Sequence, residues 1–359
     1  PILNNNIQPW PPAYRSLPPY RGMSCCIPGE EDLIVELSHT PDDEWCANTK
    51  IVLSRGITAF RLDEPQKDGQ TDHLPLVVCL HDMTNSSYMW KDLSQLLVNS
   101  LTGPPARVLT YDIYGRGRSP LANAVRCTME TYVFQMYELL DKLEFLKEDT
   151  PFIILGHGLG AAIGAGFVAK YPKYAQSLVL ISPAGLKWNK NLLQEDLFTY
   201  PFIGESLWRN KMTQKSAAKR QIDVNFWNSD NDSDYYYLIQ RDLDMIKWQL
   251  SYTPGYLASL NSTIKHFPLG NSKLVDLYTS LGDHPSRDVC VIWGIEDECC
   301  NAEECIEVSK SCFPRAKIVV IKNAGHRVCI ENFHDAADAI LAFVSVQSKK
   351  LRRQLRGYN

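Results

Sequence analysis

The chain has 359 residues, of which 45% are hydrophobic and 22% charged, with a net charge of −4. This is an ordinary globular composition, and its slight acidity argues against a nucleic-acid binder. Eleven cysteines, an odd number, are scattered without a regular framework; a chain this long needs no disulfide scaffold, so mostly reduced thiols and a cytoplasmic location are expected.

In chain order, residues 1–50 are rich in proline and read as an extended N-terminal arm or linker. Ile51 to Leu62 reads as a first strand, Leu74 to Leu80 as a buried one, and Arg107 to Tyr111 as a third. Thr128 to Leu146 has helical spacing. Pro151 to Leu155 is a short apolar run suited to a parallel strand. The small-residue helix after it starts at Gly160, lets backbone approach the sheet closely, and is stopped by Pro172. Ser177 to Ile181, Val289 to Trp293 and Lys317 to Ile321 are further strands, and His334 to Val346 is a further helix. Such alternation predicts an α/β fold, a mainly parallel sheet with helices on both faces.

Residues 51–185 and 287–346 form the expected core. Residues 186–286 are too long for a loop and carry helical spacing with many aromatics (Phe226, Trp227, Tyr235 to Tyr237, Trp248, Tyr252, Tyr256). They read as a helical cap inserted between two core strands. Its aromatics serve either the cap's own packing or an apolar wall over a ligand pocket. Residues 347–359 form a basic tail, a solvated helix end or a weak contact for anionic lipid or an acidic partner.

The most informative stretch is Leu155-Gly156-His157-Gly158-Leu159-Gly160. It stands between a buried strand and a small-residue helix, in the frame G-x-S-x-G of a nucleophile elbow, where a sharp turn lifts a serine Oγ into an active site. Here the central residue is Gly158. Residues 151–168 are nearly uncharged, but their glycines, a histidine and Pro172 argue against a membrane span. The turn does not match G-x-G-x-x-G, and no acidic residue stands at ribose-binding distance. Cys299, Cys300, Cys305 and Cys312 cluster without the spacing of a zinc site. No cofactor or metal is therefore expected.

Five markers in order carry a resemblance. They are His81-Asp82 after a buried strand; Asp112 to Ser119, in the pattern D-x-x-G-x-G-x-S; the elbow; Trp293 to Asp297, ending in G-x-x-D; and Ala324-Gly325-His326. Over about residues 50–345 the chain resembles the α/β-hydrolase superfamily, specifically the capped group of epoxide hydrolases, monoacylglycerol lipases and carbon–carbon bond hydrolases. The resemblance implies serine-hydrolase chemistry of the esterase or lipase type on a small apolar ester-like substrate. It assigns His326 as the base and Asp297 as its orienting acid, with Glu296 as the neighbour that could substitute. It assigns the backbone N–H groups of Leu159 and Met83 to the oxyanion hole, near His81 and Asp82. Asp82 departs from the usual His-Gly, and a carboxylate there opposes a developing oxyanion unless protonated or turned away. Cys79 is expected to be buried and inert, and the His157 side chain to point into packing.

Without a serine at 158, three readings compete. The chain is a serine-hydrolase relative that is inactive or strongly impaired, a non-catalytic receptor or scaffold for a small ligand, or an enzyme that uses the His–Asp pair as general base without a covalent intermediate. Because the elbow holds its central residue in a strained conformation that glycine adopts freely, Gly158→Ser is expected to lower the melting temperature or leave it unchanged.

Overall fold

The computed structural model describes residues 49–65, 74–101, 103–122, 125–147, 152–187, 226, 236–269, 272–285 and 287–357. The proline-rich arm, apart from Thr49 and Lys50, and the insertion between residues 188 and 235, apart from Phe226, lie outside them.

Eight strands form one sheet: β1 (Thr49–Leu53), β2 (Gly56–Asp63), β3 (Leu76–Leu80), β4 (Arg107–Tyr111), β5 (Phe152–His157), β6 (Ala175–Ile181), β7 (Asp288–Gly294) and β8 (Lys317–Ile321). Their order is β1-β2-β4-β3-β5-β6-β7-β8. β1 pairs with β2 and β2 with β4 antiparallel, and every other pairing is parallel. The single strand expected over Ile51 to Leu62 is thus a hairpin, reversing at Ser54 and Arg55. Both turn residues are exposed, and neither is of the Asn-Gly type that makes a two-residue turn legible.

The central strands are buried on both sides because side chains alternate across the sheet. Leu76, Val78 and Leu80 of β3 join one apolar core, whereas Val77 and Cys79 join the other. Helices cover both faces. α1 (Lys91–Val98), α2 (Met129–Lys142) and α3 (Leu159–Lys170) lie in the first half. The insertion between β6 and β7 carries α4 (Tyr236–Tyr252), α5 (Tyr256–His266) and α6 (Ser272–Asp283). After β7 come α7 (Ala302–Cys312), α8 (Val328–Glu331) and α9 (Phe333–Gly357). α6 packs against α3 and α7 of the core, so the last helix of the insertion serves the core rather than a separate cap. Residues 347–357 of the basic tail continue α9 without a break, and Lys350 Nζ is 2.6 Å from Asp288 Oδ1.

The chain crosses over at β3, with β4 on one side and β5 on the other. Beyond the carboxyl ends of strands at such a reversal, open α/β sheets place their ligand crevices. The loops after β3, β5, β7 and β8 all emerge at that edge.

Candidate active site

β5 ends at His157, and α3 starts at Leu159, so the whole reversal falls on Gly158. Its φ of +52° and ψ of −114° are the elbow conformation, which a residue with a side chain adopts only under strain. The next turn of α3 lies against the sheet so closely that a Cβ on Gly160 would sit 2.5 Å from the Leu80 carbonyl carbon.

The loops after β7 and β8 bring Asp297 and His326 together, with Nδ1 of the imidazole 2.8 Å from Asp297 Oδ2. Both side chains are buried. Glu296 does not take the acid's place: its Oε2 accepts the Ala324 N–H at 3.0 Å, and Glu331 Oε2 accepts the Gly325 N–H at 2.7 Å. Two carboxylates therefore hold the loop that presents His326. Cys300 N–H donates to Asp297 Oδ1 at 3.0 Å, fixing that carboxylate in turn.

Asp82 is not turned away. A Cβ on residue 158 would lie 2.6 Å from Asp82 Cγ and closer still to Oδ1, so this carboxylate fills the space a nucleophile side chain would need. Oδ1 accepts the Leu159 N–H at 3.0 Å, which occupies the first donor assigned to the oxyanion hole. Oδ2 is 3.8 Å from His326 Nε2 and accepts from Arg327 Nη1 at 3.2 Å. The other assigned donor, Met83, is buried beside this loop, and its carbonyl accepts from Arg116 Nε.

These contacts set the charge states. Burial alone would raise the Asp82 carboxyl, but the neighbouring His326 and Arg327 outweigh it and hold the group well below the ordinary carboxylate range. Burial alone would depress His326, but the carboxylates of Asp297 and Asp82 outweigh it and lift the imidazole well above its ordinary value. His81 and His157 behave in the opposite way, and burial pushes each down to about 3. Neutral His81 donates from Nδ1 to the Asp82 carbonyl and accepts the Ile113 N–H at Nε2. His157 is fully buried and donates from Nε2 to the His326 carbonyl at 2.8 Å. Cys79 is fully buried, and burial raises its thiol well above the ordinary range.

Arg327, adjacent to His326, has no counterpart among the residues singled out from the sequence. Its buried guanidinium also donates to Thr84 Oγ1 at 2.8 Å and lies 3.7 Å from Asp242 Oδ2 on α4. Asn85 Nδ2 donates to the other oxygen of Asp242 at 2.5 Å. The insertion is fastened to the loop after β3 at further points. Gln249 bridges the Thr84 carbonyl and the Gly117 N–H, and the Tyr256 hydroxyl donates to the Thr84 carbonyl at 2.8 Å. The D-x-x-G-x-G-x-S loop is scaffolding for this arrangement. Asp112 accepts the Ser87 and Arg118 N–H groups, Arg116 donates to Ser259 of α5, and Ser119 Oγ accepts the Ala59 N–H. Of the insertion's described aromatics, Phe226 and Tyr256 are buried in the apolar cores, whereas Tyr236, Tyr237 and Tyr252 are exposed.

A family model described as the alpha/beta hydrolase fold matches residues 75–333. The chain belongs to this family. It is 21% identical over 290 residues to the mouse monoacylglycerol lipase ABHD6, covering 77% of each chain. It is 22% identical over 244 residues to lipase 1 of Psychrobacter immobilis, covering 66% of this chain and 68% of the lipase. Among solved structures, a thermophilic esterase from Thermogutta terrifontis superposes with a TM-score of 0.62 at 20% identity, over 86% of this chain and 97% of that one. A meta-cleavage product hydrolase from Pseudomonas fluorescens superposes with a TM-score of 0.60 at 17% identity, over 82% and 96%. The α/β-hydrolase fold and an esterase- or lipase-like lineage therefore hold for this chain. Among the described residues, no helix is long and apolar enough to cross a membrane.

Proposed function

We propose that this α/β-hydrolase has lost the acyl-transfer step of its lineage and keeps the site for an apolar, ester-like ligand. One observation carries the reading: a carboxylate, that of Asp82, stands in the nucleophile's space and takes the Leu159 N–H. A negative oxygen already seated there opposes a second one developing on a substrate carbonyl. Losing the nucleophile alone costs on the order of 10⁶ in turnover in serine proteases. The names of the relatives, lipases and an esterase, support an apolar ester as the class of ligand. The arrangement argues against a His–Asp general base. An imidazolium held between Asp297 and Asp82 has no free lone pair with which to take a proton.

The test is a panel of p-nitrophenyl esters and a serine-directed phosphonate probe, applied to the wild type, Gly158→Ser, and Asp82→Gly combined with Gly158→Ser. The wild type should neither turn over esters nor take up the probe. Gly158→Ser alone should be poorly labelled, because Asp82 still fills the site, and the double variant should be labelled and regain hydrolysis. Ester turnover by the wild type that disappears with His326→Ala would overturn the reading.

A further inference from the structure

We propose that the turn after β7 and the loop after β8 together form a binding site for a thiophilic divalent cation of the zinc type, built on Asp297, Cys299, Cys300 and His326. This goes beyond the reading of the nucleophile position and does not depend on it. Each residue brings one donor atom, a carboxylate oxygen, two thiol sulfurs and Nδ1, and all four atoms lie within 4.8 Å of one another. Asp297, Cys300 and His326 are buried, and Cys299 is half-buried.

The donor set is the one this class of ion prefers. Tetrahedral zinc takes sulfur, imidazole nitrogen and carboxylate oxygen, with Zn–S about 2.3 Å and Zn–N about 2.0 Å, so donors stand roughly 3.3–3.8 Å apart. Cys300 Sγ is already 3.9 Å from His326 Nδ1. Nδ1 and Asp297 Oδ2, now 2.8 Å apart in a hydrogen bond, need to open by about 0.5 Å to admit the ion between them. Magnesium and calcium, which require oxygen ligands, do not suit two thiols.

The surroundings complete the site. A metal-bound imidazole commonly donates its other ring N–H to a carboxylate, which fixes the ring. Here the carboxylate that faces Nε2 is that of Asp82, with Oδ2 at 3.8 Å, a gap that a small shift of the ring would close. The Asp297 carboxylate is oriented by the Cys300 N–H on Oδ1, leaving Oδ2 for the ion. The sequence spacing conceals the site, because Asp297, Cys299 and Cys300 lie in one turn while the fourth donor comes from a loop 26 residues beyond Cys300. On binding, the thiols and Nδ1 give their protons to water, and four bonds to the cation replace the Asp297–His326 hydrogen bond. No electron moves. The ion would thereby hold His326 out of any proton transfer.

The experiment titrates the reduced full chain, freed of metal and kept in a non-chelating phosphine reductant, with Co²⁺ alone and then with Zn²⁺ in competition. The expected result is one equivalent of Co²⁺, with intense thiolate-to-cobalt charge-transfer bands and the visible spectrum of a tetrahedral ion, displaced by Zn²⁺. Cys299→Ser combined with Cys300→Ser should abolish the charge-transfer bands and weaken Zn²⁺ at least 100-fold. Cys299→Ser alone, at the half-buried position, should halve the band intensity in a chain that folds normally. Cys305→Ser should bind like the wild type. Absence of charge-transfer bands in the folded wild type, or Zn²⁺ binding unchanged in either cysteine variant, would overturn the site, as would its loss in Cys305→Ser.

Discussion

Gly158 and Asp82 have to be understood as a pair. Glycine accepts the positive φ of the elbow without the ~1–3 kcal/mol that a side chain would cost there, and its missing Cβ makes room for the Asp82 carboxylate. Gly158→Ser should therefore lower the melting temperature for two reasons, strain and a clash with Asp82 Cγ. A double-mutant cycle separates them. In an Asp82→Gly background the same serine should be less destabilising by about 0.5–3 kcal/mol, the usual range for residues in contact. Equal costs in the two backgrounds, measured by urea denaturation, would place the Asp82 carboxylate elsewhere. Neither Asp82's position nor Arg327 was legible from the sequence for a simple reason. The hydrogen bond joining them spans 245 residues, and no local pattern reports a contact of that range. The Asp297–His326 pair was legible because each sits in a short frame at the end of a strand.

At the scale of elements, the close approach of α3 to the sheet is what aims the elbow. The small residues from Gly160 to Gly166 announce that approach, and the structure shows its limit, since a Cβ on Gly160 would meet backbone rather than a side chain able to turn aside. Gly160→Ala should cost about 3 kcal/mol, the upper end of ordinary overpacking, as a shift in the denaturation midpoint. A cost below about 0.5 kcal/mol, the scale of an ordinary surface substitution, would mean that α3 stands further from β3. Most strands were readable because an apolar run buried on both faces has few alternatives. The hairpin of β1 and β2 was not, since its exposed Ser54–Arg55 turn lacks a turn signature. The role of α6 as a core helix was equally hidden, because helical spacing shows that a face is apolar but not which neighbour it meets.

Across the whole molecule, the buried histidines predict how stability follows pH. Below about pH 6.5 the unfolded chain protonates its histidines, whereas His81 and His157 in the fold refuse protons until about pH 3. The unfolded state then binds more protons, and stability falls with acidification. His326 acts in the other direction. Its raised folded value lets the native protein keep a proton that the unfolded chain loses above about pH 6.5, so its contribution is full below that pH and fades as the pH climbs through the folded value. The contributions of these three histidines overlap near pH 6.5, with their acid limb flattened by His157→Gln and their alkaline limb by Asp297→Asn, both read from urea midpoints across the pH range. An alkaline limb unchanged in Asp297→Asn would count against the imidazolium. The filled elbow also constrains which sequences lie within reach of this one. Placing serine first meets the clash and the strain, while removing Asp82 first strips Arg327 of one of its two carboxylates and leaves the buried guanidinium only Asp242, 3.7 Å away. Each single step is uphill, so the two positions act as a ratchet against a serine nucleophile at this elbow.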